Sequence, residues 1–324
     1  MEYRKLGDSG LRVSAVGLGC NNLGREGTAT EDQDGTDRVV GAALDAGVTL
    51  FDTADIYGTE FGLSERRLGK ALGSRRDEAV VATTFGHQAV EGAYPSWGAK
   101  GGRRYIRRAV EDSLMRLGTD RIDLLQLHTP DPETPIEETL AALDELVRAG
   151  KVLYLGHTNL AAWQLAEAEL VARAMGVERF VSASNEYSLL QRAPEQEILP
   201  AAEHFGVGFL PYFPLANGLF TGKFTRTERP EDSRIQRQRP WIAEHAPWDA
   251  MESYAAFCAE RGITMLTATI GWLLAQPALS SVIAGATRPE QIRQNAEAAT
   301  AWNPDAEDVA HISRLFPGAD ASGD

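Results

Sequence analysis

The stretch DLLQLHTPDPETPIEETLAALDELVRAGKVLYLG, residues 123–156, carries the clearest secondary-structure pattern of the chain. A short apolar run at 123–127 is followed by a polar turn, and then by apolar residues three and four positions apart between Pro135 and Gly150. A second apolar run follows at 152–156. Short apolar runs are typical of buried strands, and the three-and-four spacing is typical of an amphipathic helix that starts at a proline and stops at a glycine. The stretch therefore predicts a strand, a helix and a second strand.

The same alternation extends over the whole chain. Further amphipathic stretches are TDRVVGAALDAG (36–47), SERRLGKALG (64–73) and YIRRAVEDSLMRLG (105–118). Strands that alternate with helices indicate a parallel sheet, and eight such units in about 300 residues indicate a closed (β/α)8 barrel. The prediction is one domain over residues 1–317 with a short N-terminal β-hairpin, followed by a disordered tail at 318–324. The predicted strands are 13–17, 48–51, 79–83, 123–127, 152–156, 180–183, 208–212 and 281–283.

A doubly wound sheet is the alternative fold. It would require a GxGxxG motif after the first strand, but residues 17–24 read GLGCNNLG and no helix follows them directly. The barrel is therefore favoured. Two predicted loops are long, 85–102 after the third strand and 213–247 after the seventh, and both belong to the end of a barrel where active sites are built. In the first loop, Tyr94 and Trp97 are candidates for the wall of a substrate pocket.

Composition limits the classes of partner. The 324 residues are 43% hydrophobic and 24% charged, with a net charge of −14. An acidic surface repels phosphate, which disfavours nucleic acid and membranes but leaves room for a small anionic cofactor bound by local cations. No apolar run is long enough for a membrane span or a signal peptide, and the two cysteines, Cys20 and Cys258, do not make a disulfide framework. A cytoplasmic location is expected, without a metal site, and no oligomeric state is predicted.

Three residues with proton-transfer chemistry follow predicted strands. FDTADIYG (51–58) places Asp52 at the end of the second strand and Tyr57 in the next turn. LLQLHTPD (124–131) places His128 at the end of the fourth strand. Each residue alone has a structural interpretation, because such an Asp often caps a helix and a buried Tyr or His often only packs. Together, at one end of a barrel, they favour a proton-transfer site.

Motifs over nearly the whole chain resemble those of bacterial aldo-keto reductases, in the branch that includes β-subunit-like barrels and actinobacterial members. The resemblance implies a (β/α)8 barrel that transfers a hydride from NADPH to a carbonyl group. It also implies that Tyr57 protonates the carbonyl oxygen, that Asp52 supports the site and that His128 orients the substrate. The motifs are, in chain order, YRKLGDSGLRVSAVGLGCNN, FDTADIYG, SERRLGKAL, LGTDRIDLLQLH, TPIEETLAALDELVRAGKV, NEYSLLQR, PYFPLANGLFTGKF and IAGATRPEQIRQN.

One member of the catalytic set implied by this resemblance is replaced. The family has a lysine in a TKFG motif, but VVATTFGHQ (80–88) has Thr84 at that position. Free tyrosine has a pKa near 10, and a nearby ammonium group favours its ionised form, which threonine does not do. Since general acid catalysis contributes about 10²- to 10⁴-fold in rate, the loss of this tuning would be costly. Candidates for a replacement charge are His87, Lys100, Arg103, Arg104 and His157, although strand alternation sets His157 on the face opposite Thr158.

The resemblance further implies a nicotinamide site. Thr158 and Asn159 stand where the family has a Ser-Asn pair that holds the carboxamide. Ser184 stands where the family has a glutamine, so a hydrogen bond to the carboxamide is expected to be lost or to run through water. Tyr212 matches the tyrosine that stacks on the ring, and Phe213 stands at the position of a common serine.

A phosphate site is implied next to it. Lys223 and Arg234 are expected to hold the pyrophosphate, and a helix N-terminus with Arg288 suits the 2′-phosphate of NADP. Apart from the resemblance, that helix start is an ordinary capped helix. The remaining predicted cofactor contacts are Gly19, Cys20, Asn21, Asp52, Pro214, Leu215, Asn217, Gly218, Gly285, Ala286, Thr287, Gln291 and Asn295.

Three functions follow from these observations. The first is an NADPH-dependent oxidoreductase that acts on an unusual carbonyl, enone or imine, in a specialised pathway. The second is a barrel of the same kind with non-redox chemistry, such as elimination or isomerisation, which the loss of the lysine and the glutamine motivates. The third is a catalytically silent NADP-binding protein that acts as a subunit of a larger assembly. The retained Asp52, Tyr57 and His128 favour the first.

Overall fold

The computed structural model describes residues 1–88 and 98–318. The chain begins with an antiparallel hairpin of strands β1 (Tyr3–Lys5) and β2 (Arg12–Ser14). Eight parallel strands follow in one sheet, in the order β10-β3-β4-β5-β6-β7-β8-β9. They are β3 (Val16–Gly19), β4 (Leu50–Asp52), β5 (Val80–Phe85), β6 (Ile122–Leu127), β7 (Val152–Thr158), β8 (Phe180–Ser184), β9 (Gly208–Phe209) and β10 (Val282–Gly285).

Backbone hydrogen bonds close this sheet into a ring. The amide of Phe209 donates to the carbonyl of Ala278 at 2.7 Å, and the amide of Ser280 donates to the carbonyl of Phe209 at 3.0 Å. Further along, the amide of Ile283 donates to the carbonyl of Pro211 at 3.1 Å. The predicted (β/α)8 barrel and its N-terminal hairpin are confirmed.

Two strands differ from their predicted bounds. The apolar run at 13–17 divides at Ala15 between hairpin strand β2 and barrel strand β3. Both halves are buried, so the hydrophobic pattern does not show that the strand changes its partner there. The predicted strand at 208–212 ends at Phe209 as β9. Pro211 has no amide hydrogen for the ladder, and Tyr212 returns to the sheet through one isolated bridge to Glu186.

Helices cover the outside of the barrel. Gly118 ends the third helix at a φ of 63°, in the left-handed region that glycine favours, as its predicted stop signal requires. Pro135 is the N-cap of the fourth helix, one position outside its first turn. The helices are α1 (Gln33–Asp45), α2 (Leu63–Leu72), α3 (Arg103–Leu117), α4 (Ile136–Arg148), α5 (Ala162–Met175), α6 (Ile198–Phe205), α7 (Arg234–Gln238), α8 (Trp241–Glu244), α9 (Trp248–Glu260), α10 (Met265–Leu274), α11 (Pro289–Ala301) and α12 (Ala306–Leu315).

The barrel interior is filled by apolar side chains and is closed at one end by the hairpin. Leu6 and Val13 of the hairpin segment pack in one cluster with Leu50, Leu124 and Ile283 from the strands. Larger clusters lie between the sheet and the helices. Because the hairpin fills the amino-terminal end, the carboxyl ends of the strands are the open side on which a site can form.

The structure describes one of the two long predicted connections throughout and the other only in part. The one after the seventh strand contains a short 3₁₀ turn (Ala216–Thr221) as well as α7 and α8, so it is largely structured. In the other, residues 89–97 lie outside the described residues, and so do the candidates Tyr94 and Trp97. The tail residues 319–324 also lie outside them. Within the described ranges, none of the helices has the length and apolar character needed to cross a membrane.

Candidate active site

The four residues predicted for catalysis lie at the carboxyl ends of neighbouring strands. Asp52 is the last residue of β4, Thr84 lies in β5, and His128 follows β6 directly. Tyr57 follows β4 in a turn in which its amide donates to the carbonyl of Ala54 at 3.2 Å. The ring centres of Tyr57 and His128 are 6.1 Å apart and their planes are nearly perpendicular.

Gln126 is the hydrogen-bond partner of the Asp52 carboxyl group. Its Nε2 donates to Oδ1 of Asp52 at 3.2 Å, and Gln126 pairs in register with Thr84. Burial raises the pKa of Asp52 to about 7, and the hydrogen bond from Gln126 acts in the opposite direction. Sequence reasoning gave Gln126 no role. Its place two residues before His128, on the same face of a strand, is the signal that would have found it.

The Thr84 side chain contacts the backbone of the catalytic turn. Its hydroxyl donates to the carbonyl of Thr53 at 3.2 Å, and its own carbonyl accepts from the amide of Asp55 at 3.0 Å. The side chain is buried and uncharged. Thr84 therefore holds the segment that leads to Tyr57, but it supplies no positive charge to the phenol.

The electrostatic surroundings of Tyr57 oppose ionisation. Burial raises the pKa of its phenol well above the ordinary value, and the carboxylate of Asp52 raises the pKa further. Tyr212 and Cys20 act in the same direction. A phenol with a raised pKa releases its proton less readily.

A second histidine lies against His128. The ring centres of His87 and His128 are 4.6 Å apart in an edge-on arrangement. Burial, with a smaller effect from His87, lowers the pKa of His128 to about 3, so its imidazole is neutral near pH 7. Its Nδ1 is buried without a hydrogen-bond partner in the described residues. A neutral imidazole can donate one hydrogen bond to a carbonyl oxygen and still accept another.

Lys100 is a candidate replacement cation that contacts His87. Its Nζ donates to the carbonyl of His87, and its Cβ lies 3.5 Å from the position that a Cβ on Gly86 would take. The ammonium group also lowers the pKa of Asp55, which burial raises to about 8. Lys100 thus contacts the backbone of His87, and its charge acts on Asp55.

The other candidate replacements lie away from the site. The guanidinium of Arg103 pairs with Glu145 on the outer face of the helices, and Arg104 is exposed. His157 is fully buried with its ring centre 5.4 Å from that of Phe180, and burial lowers its pKa to about 3. A neutral, buried imidazole does not replace the charge of a lysine.

The predicted nicotinamide contacts form a connected group next to His128. The hydroxyl of Tyr212 donates to Oδ1 of Asn159 at 2.8 Å, and Nδ2 of Asn159 donates to the carbonyl of His128 at 3.0 Å. Thr158 is buried and pairs in register with Ser184. The Ser184 hydroxyl donates to the carbonyl of Leu210 at 2.7 Å, so it is engaged within the sheet.

The loop after β9 contains several non-glycine residues with a left-handed backbone conformation. Phe213, Ala216 and Asn217 have φ values of 53°, 46° and 61°, and such left-handed non-glycine residues concentrate at functional sites. Oδ1 of Asn217 is buried without a partner in the described residues, as is Nε of Arg234. Further along, Lys223 is exposed. The side chains of Asn217, Arg234 and Lys223 therefore have polar atoms available to a ligand.

The start of α11 is capped by its own side chain. Oε1 of Gln291 accepts from the amide of Thr287 at 2.8 Å and from the amide of Arg288 at 3.1 Å. Arg288 is exposed, whereas Asn295 is buried. Gln291 therefore caps the backbone amides, as in an ordinary capped helix, and the Arg288 guanidinium stays a predicted contact for a phosphate.

Known proteins are similar to this chain over nearly its whole length. The model of the Aldo/keto reductase family matches residues 15–316. Uncharacterized oxidoreductase YrpG of Bacillus subtilis (strain 168) is 36% identical over 98% of this chain and 97% of its own. L-glyceraldehyde 3-phosphate reductase of Escherichia coli O157:H7 is 31% identical over 97% and 92%, and aldo-keto reductase YhdN of Bacillus subtilis is 32% identical over 98% and 94%. The chain therefore belongs to the aldo/keto reductase family.

Proposed function

We propose that this protein is an NADPH-dependent reductase of a carbonyl, conjugated or imine group in a small organic substrate. The observation that carries the proposal is the placement of Tyr57, His128 and Asp52 at the ends of neighbouring strands, with 6.1 Å between the tyrosine and histidine rings. Family membership supports the reaction class. In this proposal, residues 1–317 form the single domain that carries out the reaction.

The residues around the site fit a dinucleotide. Asn159 and Tyr212 are preorganised by their mutual hydrogen bond, and the unpaired Oδ1 of Asn217 and Nε of Arg234 offer an acceptor and a donor. The exposed Arg288 offers a cation to the 2′-phosphate. We expect Asn159, Thr158 and Tyr212 to face the nicotinamide. When bound, NADPH would supply the hydride.

Each side chain has a distinct task in this proposal. Neutral His128 donates a hydrogen bond to the substrate carbonyl oxygen and orients it. Tyr57 gives its hydroxyl proton to the same oxygen as negative charge develops there. Asp52, held by Gln126, has a pKa of about 7 and is therefore partly protonated at neutral pH. Protonation of Asp52 removes a negative charge beside Tyr57, which assists proton release without a lysine.

The first experiment is a calorimetric titration with NADPH, repeated with NADH. We expect binding tighter than about 10 μM, equivalent to about −7 kcal/mol, with a preference for NADPH. NADPH consumption is then followed with a panel of aldehydes, ketones and enones, comparing Tyr57→Phe with the exposed Tyr3→Phe as a control. Loss of turnover in the first variant alone supports the proposal, and failure of folded protein to bind either nucleotide contradicts it.

A catalytically silent NADP-binding protein is the second candidate. The raised pKa of Tyr57 and the engaged hydroxyl of Ser184 favour it, since both weaken the reductase site relative to the family pattern. This candidate predicts tight NADPH binding with no consumption on the whole panel. Non-redox chemistry instead predicts substrate conversion that is not matched by NADPH consumption.

A further inference from the structure

His87 and His128 are held side by side at the open end of the barrel. The amide of His128 donates to the carbonyl of Phe85 at 2.8 Å, and the hydroxyl of Thr129 donates to the carbonyl of Gly86 at 3.3 Å. The amide of the residue after His87 donates to the same hydroxyl at 2.9 Å. These bonds join the segment after β5 to the segment after β6, so the contact between the two rings, with centres 4.6 Å apart, is built on a fixed backbone.

Each of the two rings has a buried nitrogen without a partner. Nδ1 of His87 and Nδ1 of His128 both lack a hydrogen bond within residues 1–88 and 98–318. A hydrogen bond of about 2.9 Å between two imidazole nitrogens places the ring centres about 5 Å apart. The observed 4.6 Å therefore permits a hydrogen bond between the two Nδ1 atoms once one ring turns about its Cβ–Cγ bond.

The neighbouring polar side chains are engaged elsewhere. Nδ2 of Asn159 donates to the carbonyl of His128 at 3.0 Å and not to its ring. Nζ of Lys100 donates to the carbonyl of His87. The ring of Tyr57 lies 6.1 Å from that of His128, farther than the ring of His87. Of these four groups, His87 is thus the one that is close to the His128 ring and has an unpaired ring nitrogen.

The proton on the His128 ring must be on a particular nitrogen for the proposed reaction. Burial, with Lys100 as a smaller cause, lowers the pKa of His87, and burial also lowers that of His128, so both rings are neutral near pH 7. A neutral imidazole has one nitrogen that donates and one that accepts. Nδ1 is the buried, unpaired nitrogen of His128, which leaves Nε2 to face a substrate. Nε2 can donate to a carbonyl oxygen only when Nδ1 is the accepting nitrogen, and a donor at Nδ1 selects that tautomer.

We propose that Nδ1–H of His87 donates a hydrogen bond to Nδ1 of His128 and thereby fixes the tautomer that presents Nε2–H to the substrate oxygen. His87 is a positioning residue, because it acts through His128 and does not touch the reacting atoms. No proton is transferred between the two rings. The inference rests on the proposed reductase function, in which His128 orients the substrate carbonyl.

The direct test is the tautomer of His128 in the protein without substrate. Long-range proton–nitrogen NMR with isotope-labelled histidine distinguishes a ring protonated at Nε2 from one protonated at Nδ1, and the His128 signals are assigned by their loss in His128→Gln. We expect the Nε2–H form in the wild type and a mixture in His87→Phe, which keeps an aromatic ring but removes the donor. His87→Asn, whose amide can donate from a similar place, should restore the Nε2–H form. The matched control is His204→Phe, at an exposed histidine of α6.

Kinetics on the carbonyl panel provide the second readout. We expect His87→Phe to lower kcat about 10-fold with a smaller change in KM, and His87→Asn to recover most of that loss. An unchanged His128 tautomer in His87→Phe overturns the inference. A wild-type His128 protonated at Nδ1, or a His87→Asn variant that behaves like His87→Phe, overturns it as well. If the wild type reduces none of the carbonyls, the proposed function fails while the NMR spectra still decide the role of His87.

Discussion

The side-chain amide of Gln126 donates a hydrogen bond to the carboxyl group of Asp52 at 3.2 Å, from the strand next to Thr84. An amide is neutral, so it supports the position of the carboxyl group but stabilises its charge far less than an ammonium group does. This explains why the pKa of Asp52 stays near 7 in a buried site. The carboxylate of Asp52 in turn raises the pKa of Tyr57, after burial as the larger cause.

Restoring the lysine is the most direct test of that link. We expect Thr84→Lys to lower the pKa of both Asp52 and Tyr57, and to raise kcat by about 10-fold or more, within the range that general acid catalysis supplies. The dependence of kcat on pH measures the expected shift of the two pKa values. Thr84→Met is the matched control, because it has similar length without charge, and an equal gain in both variants would contradict the electrostatic account.

Asp52 makes stability depend on pH with a definite sign. Its pKa is about 7 in the folded protein and about 3.9 in the unfolded chain, so the folded state holds the extra proton between these values. The corresponding stability is fully present below pH 4 and is lost as the pH rises to 7. Asp55 acts with the same sign, since its pKa is about 8.

We therefore expect the free energy of unfolding to fall as the pH rises from 4 to 7, and Asp52→Asn to flatten part of that fall. Urea unfolding at four pH values measures it, with Glu26→Gln as a control on an exposed carboxylate. A wild-type curve and an Asp52→Asn curve with equal slopes would show that Asp52 titrates normally.

The sequence allowed most of the fold and three of the candidate catalytic residues to be predicted. The apolar runs located the strands because most of their residues are buried. Asp52 and His128 were selected because they directly follow such runs, and Tyr57 because it lies in the turn after Asp52. The divided strand at 13–17 was missed, since a hairpin half and a barrel half look alike in hydrophobicity.

Contacts across the barrel could not be predicted in this way. Gln126 and Asp52 are 74 positions apart, and only the register of β4, β5 and β6 brings their side chains together. The hydrogen bond from Arg237 of α7 to the carbonyl of Gly27, at 2.7 Å, likewise depends on how α7 folds over the segment after β3. Such pairs leave no local pattern, because local periodicity reports burial and not the identity of a distant neighbour.

Arg288 should decide the preference between cofactors. Its guanidinium is exposed at the start of α11, where the backbone amides are already capped by Gln291. We expect Arg288→Gln to weaken NADPH binding by about 10-fold, the worth of one charge-assisted hydrogen bond, and to leave NADH binding unchanged. Calorimetric titration measures both, and Arg293→Gln, at an exposed position of the same helix, is the control. Equal weakening of both nucleotides would place the 2′-phosphate elsewhere.

A buried ion pair fixes the scaffold behind the catalytic turn. Glu65 of α2 is fully buried, pairs with Nε of Arg116 in α3, and accepts from the hydroxyl of Thr83 at 2.6 Å. Arg116→Met should lower the free energy of unfolding by about 3 kcal/mol, because it leaves a buried carboxylate without its cation. The double variant Arg116→Met with Glu65→Gln should recover much of that loss, since it removes the charge itself. Chemical unfolding of both variants measures the difference, and a double variant no more stable than Arg116→Met would show that packing, not charge, determines the effect.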